Sequence, residues 1–242
     1  MSDEPKAPSA ARLPASWLAL GGLTLLMLLG QLYMIFFYAP VELRMGVVQK
    51  IFYFHVPSAY SMYVGFGLCG LASAGYLIRR KPSWDALAVS GAEVGLLFCL
   101  IVLISGPLWA RKSWGVWWTW DPRLTTTMLA GMIFASYGVL RSFGESGEAE
   151  RRFAAVLAIV GLFLLPIIHY SVQRWRGTHP TVITGRGGGL APQMTQTLLF
   201  SLLSFTFLVA WLIWTRFRNE RQRQALAELE VEAAERGLLE DT

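Results

Sequence analysis

Charge is scarce in this chain. Only 15% of its 242 residues are charged, where a soluble domain carries about 25%, and 54% are hydrophobic, with a mean hydropathy of +0.45. That shortage argues against an ordinary solvated surface and for an integral membrane protein. Cysteine is nearly absent. Cys69 and Cys99 each lie in an apolar run, where a thiol behaves as a small hydrophobe. There is no C-x-x-C pair and no C-x-x-C-H sequence, so the chain is not itself a c-type cytochrome. No G-x-x-x-x-G-K-[ST] occurs, so no P-loop for ATP is encoded. The net charge of +5 does not imply nucleic-acid binding in so apolar a chain; what matters is where the basic residues fall. No cleavable signal peptide is expected either. Residues 1–15 are polar and proline-rich and are expected to form a disordered cytoplasmic N-terminus. The first apolar run exceeds the roughly 7–15 residues of a signal core.

Long apolar runs are what the chain does have. A spanning helix needs about 20 mostly apolar residues, and six runs qualify: 16–38, 52–78, 85–109, 123–140, 153–170 and 193–215. The expected fold is an all-α integral membrane protein, a six-transmembrane-helix bundle over residues 16–215. Residues 216–242 form a charged, helical cytoplasmic tail in which Leu226, Leu229 and Ala233 recur at helical spacing. Gly70 and Ala74, and Gly131 and Ala135, have the small-x-x-x-small spacing that permits close helix contact.

Basic residues follow spans two, four and six: Arg79 to Lys81, Arg141 with Arg151 and Arg152, and Arg216 onward. With alternating spans, thirteen Lys and Arg lie on that side and eight on the other. The positive-inside rule makes the richer side cytoplasmic, with both termini there. The opposite loops are still basic, through Arg44, Lys50, Arg111, Lys112, Arg123, Arg174, Arg176 and Arg186. A surface of that sign suits an anionic ligand or partner.

The sequence WGVWWTWDPRLT occupies the outward loop before span four and packs four tryptophans into seven residues. Asp121 can cap the following helix, with Pro122 at its first position. If the preceding residues form a short interfacial helix, Trp114, Trp117 and Trp118 share one face. Span counting puts all three histidines toward the same outward side: His55, His169 and His179. Two histidines do not close a zinc site, which takes about four ligands. They do suit the two axial positions of a haem, whose macrocycle supplies the other nitrogens. The indoles of Trp114, Trp117, Trp118 and Trp120 offer a flat apolar bed. Arg123, Arg111, Lys112, Arg174 and Arg176 offer cations for propionates. Plainer roles stand beside these. Tryptophan anchors membrane proteins at the interface, Asp121 can serve purely as a helix cap, and a histidine at a helix end can be an ordinary satisfied polar residue. Glu93 lies within span three, where a charge is costly, and has no assigned role.

The tryptophan stretch resembles the signature of the haem-handling superfamily of cytochrome c maturation, which includes CcmC, CcmF and CcsA. FYFHVPSAY around His55 and LPIIHYSVQRW ahead of His179 resemble the CcmC family most closely, and the likeness covers about residues 16–215. It implies binding of haem b (iron protoporphyrin IX) at the periplasmic face of the bacterial inner membrane, with His55 and His179 as axial iron ligands. His169 is the rival for the second place. Trp114, Trp117, Trp118, Trp120, Asp121 and Arg123 would belong to the haem-binding domain. The resemblance further implies covalent loading of haem onto the chaperone CcmE, with CcmD and the ABC transporter CcmAB as partners. Such a protein presents and transfers haem and is not a conventional enzyme. The alternatives are a CcsA-like component of a haem–apocytochrome ligation complex and, further off, a membrane electron-transfer cytochrome b.

Overall fold

A computed structural model describes residues 13–143, 147–175, 177, 179 and 189–237. Most of the N-terminal segment expected to be disordered, and the last five residues, lie outside the described residues. Six long helices make up the fold: α1 (Ala15–Tyr33), α2 (Phe52–Arg79), α3 (Pro82–Trp114), α4 (Pro122–Phe143), α5 (Glu148–Trp175) and α6 (Pro192–Glu235). Among the described residues there is no strand, so the all-α membrane bundle expected from the sequence is what forms. Five of the helices are long and apolar enough to cross a bilayer. The exception is α4. Thr125, Thr126, Thr127, Ser136 and Arg141 dilute its hydropathy, and it is held between α3 and α5 instead of facing lipid all round. At about 1.5 Å per residue, α6 is longer than a hydrocarbon core of about 30 Å requires.

The pair α2 and α3 is the most closely packed element of the bundle. Gly65 and Gly95 meet backbone to backbone: a Cβ on Gly65 would lie 2.5 Å from the Gly95 Cα, and one on Gly91 would lie 2.7 Å from the Cys69 nitrogen. In lipid the apolar side chains gain nothing by leaving their solvent, so close backbone approach carries helix association. Gly91 and Gly95 thus form the small-residue seam of this pair, which the sequence reading had sought elsewhere. Of the two expected small-residue pairs, Gly70 receives Leu162 of α5 and Gly131 lies against Cys99. Phe66 stacks on Phe134 at 3.9 Å between centroids, seated over Gly95 and Gly161. Cys69 and Cys99 are buried and free. The helix α1 packs on α6, where Trp17 donates to Thr215 Oγ1 at 2.8 Å and stands 5.3 Å from Trp211.

The two ends of the bundle differ. At the end bearing the termini, Asp85 of α3 is 3% exposed and accepts from Arg141 of α4 at 2.9 Å and from Gln224 of α6 at 3.2 Å. Arg141 also donates to Glu150 of α5 at 3.2 Å. Three helices are therefore tied through one carboxylate, and Arg141 adds the fourth. Glu93 is paired as well: Arg216 of α6 donates to its Oε1 at 2.6 Å, which accounts for a charge within span three.

The other end is built from irregular turns. Pro57, Pro107 and Pro166 each remove one helical N–H near the outer ends of α2, α3 and α5. The carbonyl that Pro57 leaves behind, that of Tyr53, accepts from the buried Gln31 of α1 at 3.2 Å. The helix α1 ends in a π-turn, Met34–Tyr38, and the buried Lys50 donates to its Ile35 carbonyl at 2.6 Å and its Phe36 carbonyl at 3.3 Å.

Removing one member of a buried ion pair strands the other and costs about 3–5 kcal/mol. Asp85→Ala is therefore expected to lower the thermal unfolding midpoint in detergent substantially. Leu226→Ala, on the exposed tail, is expected to leave the midpoint unchanged. Differential scanning fluorimetry of the two variants beside the parent checks both.

Candidate functional site

Three connections lie at the end opposite the charge cluster, the last of them described only at Gly177, His179 and from Gly189. They join α1 to α2, α3 to α4, and α5 to α6. The first touches the second: Ser113 at the end of α3 donates to Met45 Sδ at 3.3 Å.

His55 sits in the first turn of α2, between Tyr53 and Pro57, and is half-buried. Its Nδ1 lies 2.8 Å from Ser105 Oγ of α3. Gly106 follows, and a Cβ there would first meet His55 Cε1 at 3.4 Å. Neither Ser105 nor Gly106 was among the expected site residues. Their sequence signal is the S-G-P break at 105–107 inside an otherwise apolar run.

The tryptophan stretch is not the short interfacial helix that its spacing allows. Trp114 is the last residue of α3, and Gly115, at φ 77°, turns the chain out of the helix while its N–H caps the Arg111 carbonyl at 3.2 Å. A left-handed residue suits glycine and ends helices in this way. Trp114, Trp117 and Trp118 therefore do not share a helical face. Trp114 packs edge-on against Trp109 at 6.0 Å, and Trp118 edge-on against Trp120 at 5.9 Å. Trp117 and Trp120 are 56% and 74% exposed, which leaves two indoles facing outward, and Arg111 stacks over Trp117 at 5.9 Å.

Asp121 is buried and caps α4: its Oδ1 accepts from the Arg123 N–H at 2.9 Å, and its carbonyl accepts from Thr125 at 2.9 Å. The same carboxylate carries the third loop. A Cβ on Gly177 would stand 2.7 Å from Asp121 Oδ2, so a larger residue there would have to displace the capping carboxylate.

Arg123 joins the parts. Its Nη2 donates to the His169 carbonyl at 3.1 Å, and its Nη1 to His179 Nδ1 at 3.3 Å. His179 also lies within electrostatic range of His55. The start of α2, the start of α4 and the connection after α5 thus contribute His55, Arg123 and His179 to one end of the bundle. The His169 ring is exposed and stacks edge-on against Tyr170 at 5.0 Å; only its carbonyl reaches Arg123. Of the other expected cations, Arg111 is engaged with Trp117 and with the Gly115 carbonyl, and Lys112 and Arg174 are exposed. Arg176, Arg186 and most of the glycine run at 185–189 lie outside the described residues. Lys50 is committed to the π-turn. Among the described residues, no three His, Cys, Asp or Glu side chains cluster as a metal site.

These residues suit a flat, anionic iron chelate. Two imidazoles can supply axial nitrogens, the ring bringing its own four; a guanidinium meets one of them, and exposed indoles lie on the stretch just before it.

The family model for CcmC, described as heme exporter protein C, matches residues 6–232. Among curated proteins, heme exporter protein C of Bradyrhizobium diazoefficiens is 35% identical over 201 residues, covering 82% of this chain and 76% of that protein. Heme exporter protein C of Escherichia coli K12 is 32% identical, covering 80% and 81%. That of Rhodobacter capsulatus is 31% identical, covering 86% and 87%.

Replacing the capping residue leaves an orphan donor and costs about 1 kcal/mol. Asp121→Ala is therefore expected to speed amide hydrogen exchange at the start of α4, around Arg123, and in the loop at Gly177. Exchange in α1 should stay at the parent rate. Exchange mass spectrometry of the detergent-solubilised protein reads both.

Proposed function

This chain belongs to the CcmC family, heme exporter protein C, and on that premise we propose that it holds haem b at the outward face of the bacterial inner membrane and hands it on in cytochrome c maturation. Haem is cargo here. His55 and His179 are the axial ligands, Trp117 and Trp120 the exposed apolar bed, and Arg123 the cation for a propionate. The receiving protein is the chaperone CcmE, with CcmD and CcmAB as further partners, and both termini are cytoplasmic.

The observation that carries this reading is the meeting of Arg123, at the start of α4, with His179, with His55 of α2 in electrostatic range and exposed indoles on the stretch that leads into α4. An interfacial anchor needs the tryptophans alone. It does not need a buried aspartate that caps α4 while supporting the loop of a histidine.

Arg123 has a further consequence for His179. A guanidinium only donates, so in this arrangement His179 Nδ1 accepts and its proton rests on Nε2. Drawing Arg123 onto a carboxylate removes that donor from Nδ1, which can then ligate or take that proton. Capture of an anionic ring and readiness of the second ligand are thereby linked, and the link runs backward on release. Affinity is accordingly moderate and reversible. The protein's part is presentation: fixed ring orientation with one edge left accessible.

Absorption spectra of the purified protein, oxidised and reduced, are expected to show low-spin bis-histidine haem. His55→Ala and His179→Ala should each convert it to high-spin or lose it, with affinity down by about tenfold or more. Haem that survives His179→Ala but not His169→Ala would move the second ligand to His169. No haem in the parent after expression with ample supply would leave the tryptophans as membrane anchors.

A further inference from the structure

His55 is held by a residue of another helix, and that residue's other contact favours one direction for the hydrogen bond. Ser105 Oγ stands 2.8 Å from His55 Nδ1 and 2.6 Å from the Ile101 carbonyl. A hydroxyl carries one proton and accepts elsewhere, and a carbonyl accepts only. The Ser105 proton therefore goes to Ile101, and toward His55 the hydroxyl is an acceptor. Nδ1 carries the imidazole proton, and Nε2 keeps its lone pair. A serine bonded back to the carbonyl four residues earlier is common in apolar helices. A second bond from that hydroxyl to a histidine of a different helix is not part of that habit.

Two features keep the arrangement in place. The seam at Gly65, Gly91 and Gly95 fixes α2 against α3. Gly106, next in sequence to Ser105, brings no side chain toward the ring: a Cβ there would first meet His55 Cε1, at 3.4 Å. Metal-bound histidines ordinarily donate their second ring N–H to an oxygen that sets tautomer and orientation. Ser105 Oγ has that role open to it, with its acceptor side turned to the ring.

We propose that Ser105 is the positioning residue of the haem site, accepting from His55 Nδ1 so that Nε2 is held unprotonated and oriented for axial ligation. This rests on the assignment of His55 as a ligand. Ser105 is not a ligand itself and touches no cargo atom.

The test is haemin titration of the purified full chain in detergent, followed at the Soret band, with electron paramagnetic resonance of the ferric low-spin signal. Parent, Ser105→Ala, Ser105→Thr and His55→Ala are compared. Ser105→Ala leaves the Ile101 carbonyl its helical N–H and removes a partner only from His55 Nδ1, so the bundle should fold. The expected result is haemin affinity about 10–100-fold weaker in Ser105→Ala, with shifted or broadened g-values. Ser105→Thr, whose hydroxyl reaches the same positions, should restore both. A serine that merely packs would not give that rescue or that signature. Affinity within twofold of the parent and unchanged g-values in Ser105→Ala, while His55→Ala abolishes the low-spin signal, would overturn the role of Ser105 and leave the ligand standing. An unchanged signal in His55→Ala would overturn the ligand assignment, and the role of Ser105 with it.

Discussion

A single side-chain amide makes the start of α2 tolerable in an apolar setting. Pro57 has no N–H, so the Tyr53 carbonyl loses its helical partner, and Gln31 of α1 supplies one at 3.2 Å. Inside a bilayer an unpaired carbonyl costs several kcal/mol because no water replaces the lost bond. His55 lies between Tyr53 and Pro57, in the turn that this exchange loosens. The turn can thus depart from regular helix without leaving a polar debt, and the ring can be set by Ser105 from α3. The same solution recurs at the end of α1, where Lys50 answers two carbonyls of the π-turn. The break at Pro57 and the π-turn at the end of α1 lie at the same end of the bundle, and each is closed by a buried polar side chain from a neighbouring segment.

The opposite end follows another rule. There the charges close on one another, Asp85 with Arg141 and Gln224, Arg141 with Glu150, Glu93 with Arg216. A buried pair adds little net stability compared with an apolar substitute, yet it punishes any rearrangement that separates its members. Its effect is to fix the relative positions of α3 to α6. That matters for the far end, because α3 carries Ser105, α4 carries Arg123 and α5 leads to His179. Rigid helices let loops hold ligands in register over the length of the membrane.

Much of this was legible from the sequence because lipid simplifies the rules. Apolar length gives the helices, and alternation alone puts the tryptophans and the histidines at one end. Asp121 and Pro122 gave the start of α4 because capping is local chemistry. What was not legible depended on contacts between helices. Trp114, Trp117 and Trp118 have helical spacing, but Gly115 ends α3 first, and a glycine is compatible with either outcome until its φ is known. The seam at Gly91 and Gly95 is written as plainly as those at Gly70 and Gly131, but which pair meets backbone to backbone is a tertiary matter. Ser105 was hidden for the same reason: its partner is fifty residues away. Glu93 could be recognised as costly but not as paired, since Arg216 comes from the last helix.

Exposure separates a protein that stores haem from one that passes it on. A storage or electron-transfer site between helices surrounds its ring with buried aromatic side chains, which raises affinity and slows release. Here Phe66, Phe134 and Tyr137 fill the interior, whereas Trp117 and Trp120 stand outside it. Stiff indoles on a short loop lose little conformational entropy when covered, so they serve a second protein as readily as a flat ring. The loop that carries them is pinned at both ends, by Gly115 and by the Asp121 cap. A pinned, exposed aromatic surface at the same end as the histidines favours a complex that forms quickly and is taken apart by a competing partner. That balance, not tight retention, is what haem transfer between proteins requires.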